Sequence, residues 1–180
     1  MAKPSKEQTI LLNELRDFVI DVMLDMPEWV DANVERLRTI TLGVLRRNAT
    51  QRHGVTRWKR GVNPASLELE DVEVIDLHPK LLNLKWRAYS AFVLHHEYIH
   101  ALGLRAHNSI FRQLESAWPG HKASTHGIQF TEYLRREKAI WLWCCPKCQQ
   151  EFPRQKPSRR RFRCRKCNTT LIDKKNPTLV

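Results

Sequence analysis

The sequence predicts an α+β fold. An N-terminal helix, a small three-stranded sheet and a long buried helix form a body over residues 1–140, and a small cysteine-rich module follows over 141–180. Three observations predict this arrangement. Short stretches rich in β-branched residues lie between two long helical patterns. The second helical pattern is apolar on more than one side, as in a helix that is buried all round. After Trp143 the composition changes to Cys, Arg, Lys and Pro, which marks a separate unit.

Ser5-Lys6-Glu7-Gln8 has the form of a capping box. Leu11, Leu15, Phe18, Val19, Val22 and Met26 follow at helical spacing, and Pro27 is expected to stop the helix. Residues 39–45 read as a strand, Val55–Trp58 as a second, and Val72–Leu77 as a third that ends at His78-Pro79. The buried helix is expected from Leu81 to about Leu104. Ser109 can cap another helix running to about Trp118, ahead of Pro119-Gly120, and a last helix is expected over about 124–138. No internal repeat is present.

The charge is concentrated. The 180 residues carry 31 Lys+Arg against 19 Asp+Glu, a net +12. Residues 36–67 hold eight basic side chains and no acid, and residues 145–180 hold eleven basic and two acidic; residues 1–35 are acidic. Such a balance argues for a polyanionic partner and against an ordinary acidic or neutral metabolic enzyme. No apolar run approaches the roughly 18–20 residues of a membrane helix, and residues 1–7 have no signal-peptide character. The expectation is a cytoplasmic protein, associated with nucleoid or chromatin, that has no membrane partner.

The sharpest motif is His96-Glu97-Tyr98-Ile99-His100, inside the buried helix. Residues four apart stand one above the other on a helix, so His96 and His100 can reach one metal ion. Glu97 beside them can take a proton from water as a general base. His95 points about 100° away on a 3.6-residue helix and is expected to be buried or to sit behind the ligands. Gly103 can end the helix, and a turn before Asn108/Ser109 can bring His107 back as third ligand. Three protein ligands and one open position characterise a catalytic zinc site. Glu115 and Glu132 rank below His107 as third ligand. A metzincin arrangement is excluded: its third histidine would fall on Ala106, and all three Met lie at or before residue 26.

All five cysteines lie in the last 37 residues. Cys145-Pro146-Lys147-Cys148 and Cys164-Arg165-Lys166-Cys167 have the spacing of a closed, structural four-cysteine zinc ribbon. Cys144 is left over, as a buried thiol or an alternative first ligand. Two Zn2+ per chain are therefore expected, one catalytic and one structural. Between the knuckles Arg159, Arg160, Arg161 and Arg163 surround Phe162, and Arg57-Trp58-Lys59-Arg60 has the same basic and aromatic character. Such segments suit nucleic acid held through its phosphates, without sequence specificity, an aromatic stacking on a base.

His96-Glu97-Tyr98-Ile99-His100-Ala101 followed by His107-Asn108-Ser109-Ile110-Phe111 resembles the SprT-like, Spartan-related zinc metallopeptidases. Ile75-Asp76-Leu77-His78-Pro79-Lys80-Leu81 is similar to the strand and turn before that family's active-site helix, and a four-cysteine ribbon frequently accompanies it. The resemblance runs from about residue 8 to 172. It implies a zincin-like metalloprotease domain that cleaves protein held on DNA, in DNA–protein crosslink repair. The other reading is a non-enzymatic nucleic-acid-binding zinc protein whose histidine site is structural or silent.

Overall fold

A computed structural model describes residues 3–177. The chain divides into two compact units, the first ending at His126 and the second beginning at Gly127. The expected boundary lay fourteen residues later, between 140 and 141. The helix α4 (His126–Lys138) goes with the cysteine-rich unit because its last carbonyls are satisfied there. Asn176 Nδ2 donates to Arg136 O at 2.7 Å and to Ala139 O at 2.6 Å, and Gln155 Nε2 donates to Lys138 O at 2.8 Å.

In the first unit, α1 (Lys6–Leu24) starts at the expected capping box. Ser5 Oγ accepts from Gln8 N–H, and Gln8 Oε1 accepts from Ser5 N–H. Leu12, Leu15, Val19, Ile20 and Met23 form its buried stripe. The strand expected over 39–45 is shorter, β1 (Leu42–Val44), because Val34–Thr39 winds as a 3-10 turn. Arg38 fastens that turn by ion pairs to Asp17, Asp21 and Glu35. β2 (Gly54–Trp58) and β3 (Val72–Leu77) complete the sheet in the order β1-β3-β2. The central β3 runs parallel to β1 and antiparallel to β2, so β2 is an edge.

The long helix starts later than its apolar pattern suggests. α2 spans Arg87–Ala101, and residues Pro79–Leu82 and Leu84–Trp86 form two 3-10 turns before it. The cause is local competition for backbone donors. His78 Nδ1 accepts from Lys80 N–H and Asn83 Oδ1 from Lys85 N–H, which favours short turns over a continuous helix. α2 packs on β2 and β3 with one side and on α1 with another. α3 (Ser109–Ala117) is capped by Asn108, not Ser109: Asn108 Oδ1 accepts from Phe111 N–H at 3.0 Å. None of the described helices is long and apolar enough to cross a membrane.

One ion pair inside the sheet carries weight. Asp76 on β3 is only 1% exposed, and Arg57 Nε lies 2.6 Å from its Oδ2. Its other oxygen has no hydrogen-bond partner among the described residues. Removing the guanidinium would leave a buried carboxylate without a counter-charge. Arg57→Gln is therefore expected to cost about 3 kcal/mol in denaturant unfolding. Lys59→Gln and Arg60→Gln, at exposed positions, should each stay within about 0.5 kcal/mol of wild type.

The second unit pairs β4 (Trp141–Cys144) with β5 (Glu151–Arg154) on one side and β6 (Ile172–Lys175) on the other, all antiparallel.

Candidate metal centre

His96 and His100 stand one turn apart on α2, and the chain after the helix is folded so that His107 joins them. Gly103, at φ +100°, makes the reversal. Gly103 N–H reaches His100 O and Leu104 N–H reaches Ile99 O, the two hydrogen bonds of a Schellman ending. A side chain at this φ would add about 1 kcal/mol of strain. The same turn aims Leu104 O at His100 Nδ1, 2.7 Å away. Three residues later His107 precedes the Asn108 cap of α3.

The three rings form a nearly equilateral group, with centroids 4.9 Å, 5.0 Å and 5.0 Å apart. Phe111 lies against all three and is fully buried, so it forms the apolar floor of the group. His107 Nε2 lies 3.2 Å from His96 Nε2. Two nitrogens at about 2.05 Å from a tetrahedral ion would be about 3.3 Å apart, so the spacing suits zinc.

The tautomers agree with this. A carbonyl can only accept, so His100 Nδ1 carries the proton towards Leu104 O and leaves Nε2 bare. His96 Nδ1 is oriented the same way by Glu115 Oε1 at 2.7 Å, while Arg112 holds the other Glu115 oxygen at 2.8 Å. Burial lowers the pKa of both His96 and His100, which favours the neutral, ligating form. Glu115 thus stands behind His96 and orients it, the role its position in sequence does not reveal. Glu132 belongs to α4 in the other unit. His95 is fully buried and stacks on Trp118 with centroids 4.8 Å apart; burial drives its pKa down to about 4.

Glu97 shares the cleft with the three histidines. The residue is 5% exposed, and burial pushes its pKa up to about 7. Thr56 on β2 opposes that shift: its Oγ1 lies 2.8 Å from Glu97 Oε2 and 3.0 Å from Glu97 O. Gly54, two residues earlier on the same side of the strand, leaves room for the carboxylate. A Cβ there would lie 2.7 Å from Glu97 Oε1 and 2.8 Å from Val93 Cγ1. Neither Thr56 nor Gly54 was expected from sequence, although their period of two on β2 was a usable signal. Trp58 lines this same cleft of about 410 Å³, together with Arg52 and Arg105. The basic run Arg57–Arg60 is consequently divided: Arg57 is bound to Asp76, Trp58 faces the cleft, and Lys59 and Arg60 are exposed.

In the second unit Cys145, Cys148, Cys164 and Cys167 bring their sulfurs within 4.8 Å of one another. Cys148 Sγ and Cys164 Sγ are 3.7 Å apart, close to the separation of about 3.8 Å for thiolates at about 2.3 Å from a tetrahedral zinc. The two knuckles repeat one backbone design. Cys145 O accepts from Gln149 N–H and Cys164 O from Asn168 N–H, and both donors have left-handed φ, 58° and 53°. The N–H groups of Cys148 and Lys147 draw the Cys145 thiol down to about 7, whereas the Cys148 sulfur pushes Cys167 up. Four thiolates here need a cation. Cys144 is buried apart from them, its Sγ 3.5 Å from Leu142 O.

The loop between the knuckles is anchored by Asp173, whose carboxylate accepts from Ser158 N–H and Arg159 N–H at 2.6 Å and 2.9 Å. Arg159 and Arg160 are both left-handed, and Arg159, Arg160, Arg161 and Arg163 are exposed. Phe162 stacks on Trp143 with centroids 4.4 Å apart, and the Arg154 guanidinium lies 5.1 Å from the Trp143 ring centroid.

Residues 140–175 match the family model of the SprT-like zinc ribbon domain. The C-terminal module is similar to the SprT-like zinc ribbon. Its four cysteines form the zinc-binding cluster. No curated protein and no solved structure matches the chain.

Two independent sites give a prediction about metal release. Glu115→Ala removes the acceptor that fixes His96, so any metal held by the histidine group should be bound roughly 10–100-fold less tightly. Chelator competition should therefore show one metal leaving earlier than in wild type, with release from the SprT-like ribbon unchanged.

Proposed function

We propose that the chain is a zinc-dependent metallopeptidase that hydrolyses protein held on DNA, as in the proteolysis of DNA–protein crosslinks. The observation that carries this reading is one cleft shared by three converging imidazoles and a buried carboxylate with its own hydroxyl donor. A structural histidine site has no need of such a carboxylate, which argues against the non-enzymatic reading.

His96, His100 and His107 would hold the catalytic zinc, one of two zinc ions per chain. A zinc ion there supplies Lewis acidity, which polarises a carbonyl and acidifies water. Glu97 Oε2 is tied to Thr56, and Oε1 is the oxygen that the Thr56 hydroxyl does not hold. Oε1 accepts the proton of the attacking water, and the carboxyl then passes it to the leaving amine nitrogen. A carboxyl raised towards neutrality by burial suits both directions of transfer.

The ribbon would keep the enzyme on nucleic acid, with Arg159, Arg160, Arg161 and Arg163 neutralising phosphates and Phe162 available to a base. Selection of substrate then comes from co-localisation on DNA, in nucleoid or chromatin, and needs no deep side-chain pocket.

The test is cleavage of a protein crosslinked to an oligonucleotide, set against the same protein free in solution. Wild type should cut the crosslinked protein, and Glu97→Gln should lose at least about 100-fold while keeping its metal. Equal rates in the two enzymes would overturn the mechanism. The acid limb of the pH profile supplies a further check. Glu97 must be ionised to act as a base, and the Thr56 hydroxyl favours the ionised form. Thr56→Val should therefore raise the Glu97 pKa and move the acid limb of kcat/KM to higher pH.

A further inference from the structure

The segment 36–67 carries eight Lys/Arg and no acid, and outside Lys59 and Arg60 the fold sorts the other six into two groups. Arg36 pairs with Glu70, Arg38 with Asp17, Asp21 and Glu35, and Arg57 with Asp76. Those cations are neutralised within the body. Arg46, Arg47 and Arg52, on the loop between β1 and β2, are exposed and make no ion pair among the described residues.

These three arginines stand along connected concavities. Arg52 lines the histidine cleft and also a neighbouring hollow of about 350 Å³, whose lining includes Arg46 and the Arg57–Asp76 pair. Val44 and Leu45 then line both this hollow and a third, of about 460 Å³, where Arg47 meets Lys3 and Lys80. Among the described residues Asp76 is the one acid lining the second and third hollows, and it is already paired. The result is a series of adjoining hollows with cations at intervals along them.

We infer that the groove along Arg52, Arg46 and Arg47 is a phosphate-backbone track, which holds a nucleic-acid strand on the catalytic body and leads it to the histidine cleft. Cations repeated along adjoining hollows, with no unpaired acid among the described lining residues of the second and third, match a polymer with uniform backbone charge better than a peptide, whose side chains differ from residue to residue. The track is separate from the ribbon loop and from the Arg57–Arg60 run. It rests on the reading that this protein works on nucleic acid, and the experiment separates the two.

The measurement is the salt dependence of binding by the full chain to a fluorescein-labelled single-stranded oligonucleotide. Replacing Arg46, Arg47 and Arg52 by Gln removes three phosphate contacts, so the slope of log K against log salt should become shallower by about 2. Replacement of all three by Lys, which retains the charges, should restore most of it. Equal metal content and thermal midpoint establish that the Gln variant is folded. A wild-type slope in the Gln variant overturns the track and leaves the nucleic-acid reading intact. Absence of any binding by wild type overturns that reading and the track with it. If the Gln variant loses only cleavage of a free glutamate-rich peptide, at an unchanged salt slope, the groove belongs to an acidic peptide and the track is overturned.

Discussion

The packing of α2 on the edge strand β2 is the constraint on which the rest of the body depends. A helix bearing two histidines and a carboxylate can meet a sheet closely only where the strand offers little bulk and one hydrogen-bond donor. Gly54 supplies the first and Thr56 the second, two residues apart on one side of β2. With that contact fixed, His96 and His100 face the same cleft as Glu97. The remaining parts act on the ring planes: Leu104 O holds one imidazole, Glu115 the other, and Phe111 closes the floor. Each of these partners comes from the chain just after α2. The Schellman turn at Gly103 is therefore as much a part of the site as the histidines are.

What was legible in the sequence was local. The capping box at Ser5 and Gln8, the four-residue spacing of His96 and His100, and the paired Cys-x-x-Cys knuckles depend on neighbours within one or two turns. His107 could be included because Gly103 and Asn108 mark a helix end and a helix start on either side of it. Non-local contacts were not legible. Glu115 has the same residue type whether it ligates or orients, and only the docking of α3 decides between the two. The ion pair Arg57–Asp76 depends on the register of β2 against β3, which the alternation of side chains does not specify. The delayed start of α2 shows a different limit. The apolar pattern is continuous from Leu81, but His78 and Asn83 capture backbone donors and keep the chain in short turns. In the ribbon the left-handed residue after the first knuckle is Gln149, where no glycine or asparagine announces the turn.

Charge is where the fold altered the reading most. A basic composition identifies a class of partner, yet it does not distinguish cations that hold the protein together from those left available. Arg38 binds three acids of its own unit, and Arg57 neutralises a carboxylate buried in the sheet. Asp17, Asp21 and Asp76 lie on other elements than the arginines they pair with, so a linear charge count overstates what is available to a ligand. The loop after β1 differs: its Arg46, Arg47 and Arg52 make no ion pair among the described residues, and Asp76, which lines the hollow beside Arg46 and Arg52, is already bound to Arg57.

The same distinction applies to Glu97. A carboxyl buried to this degree would ordinarily bind its proton well above the usual carboxylate range, and a base that stays protonated is of no use near neutral pH. A carboxylate fully open to water would be a weaker base and would have no fixed direction. Burial against Gly54 moves Glu97 one way and the Thr56 hydroxyl moves it back, so its pKa comes to rest at about 7. A larger residue at 54 would disturb both effects together. Its Cβ would displace the carboxylate from the hydroxyl that orients it and from the apolar wall that raises its proton affinity. The glycine matters here for the space it leaves: it sets the distance of closest approach between strand and helix, and that distance sets how basic Glu97 is.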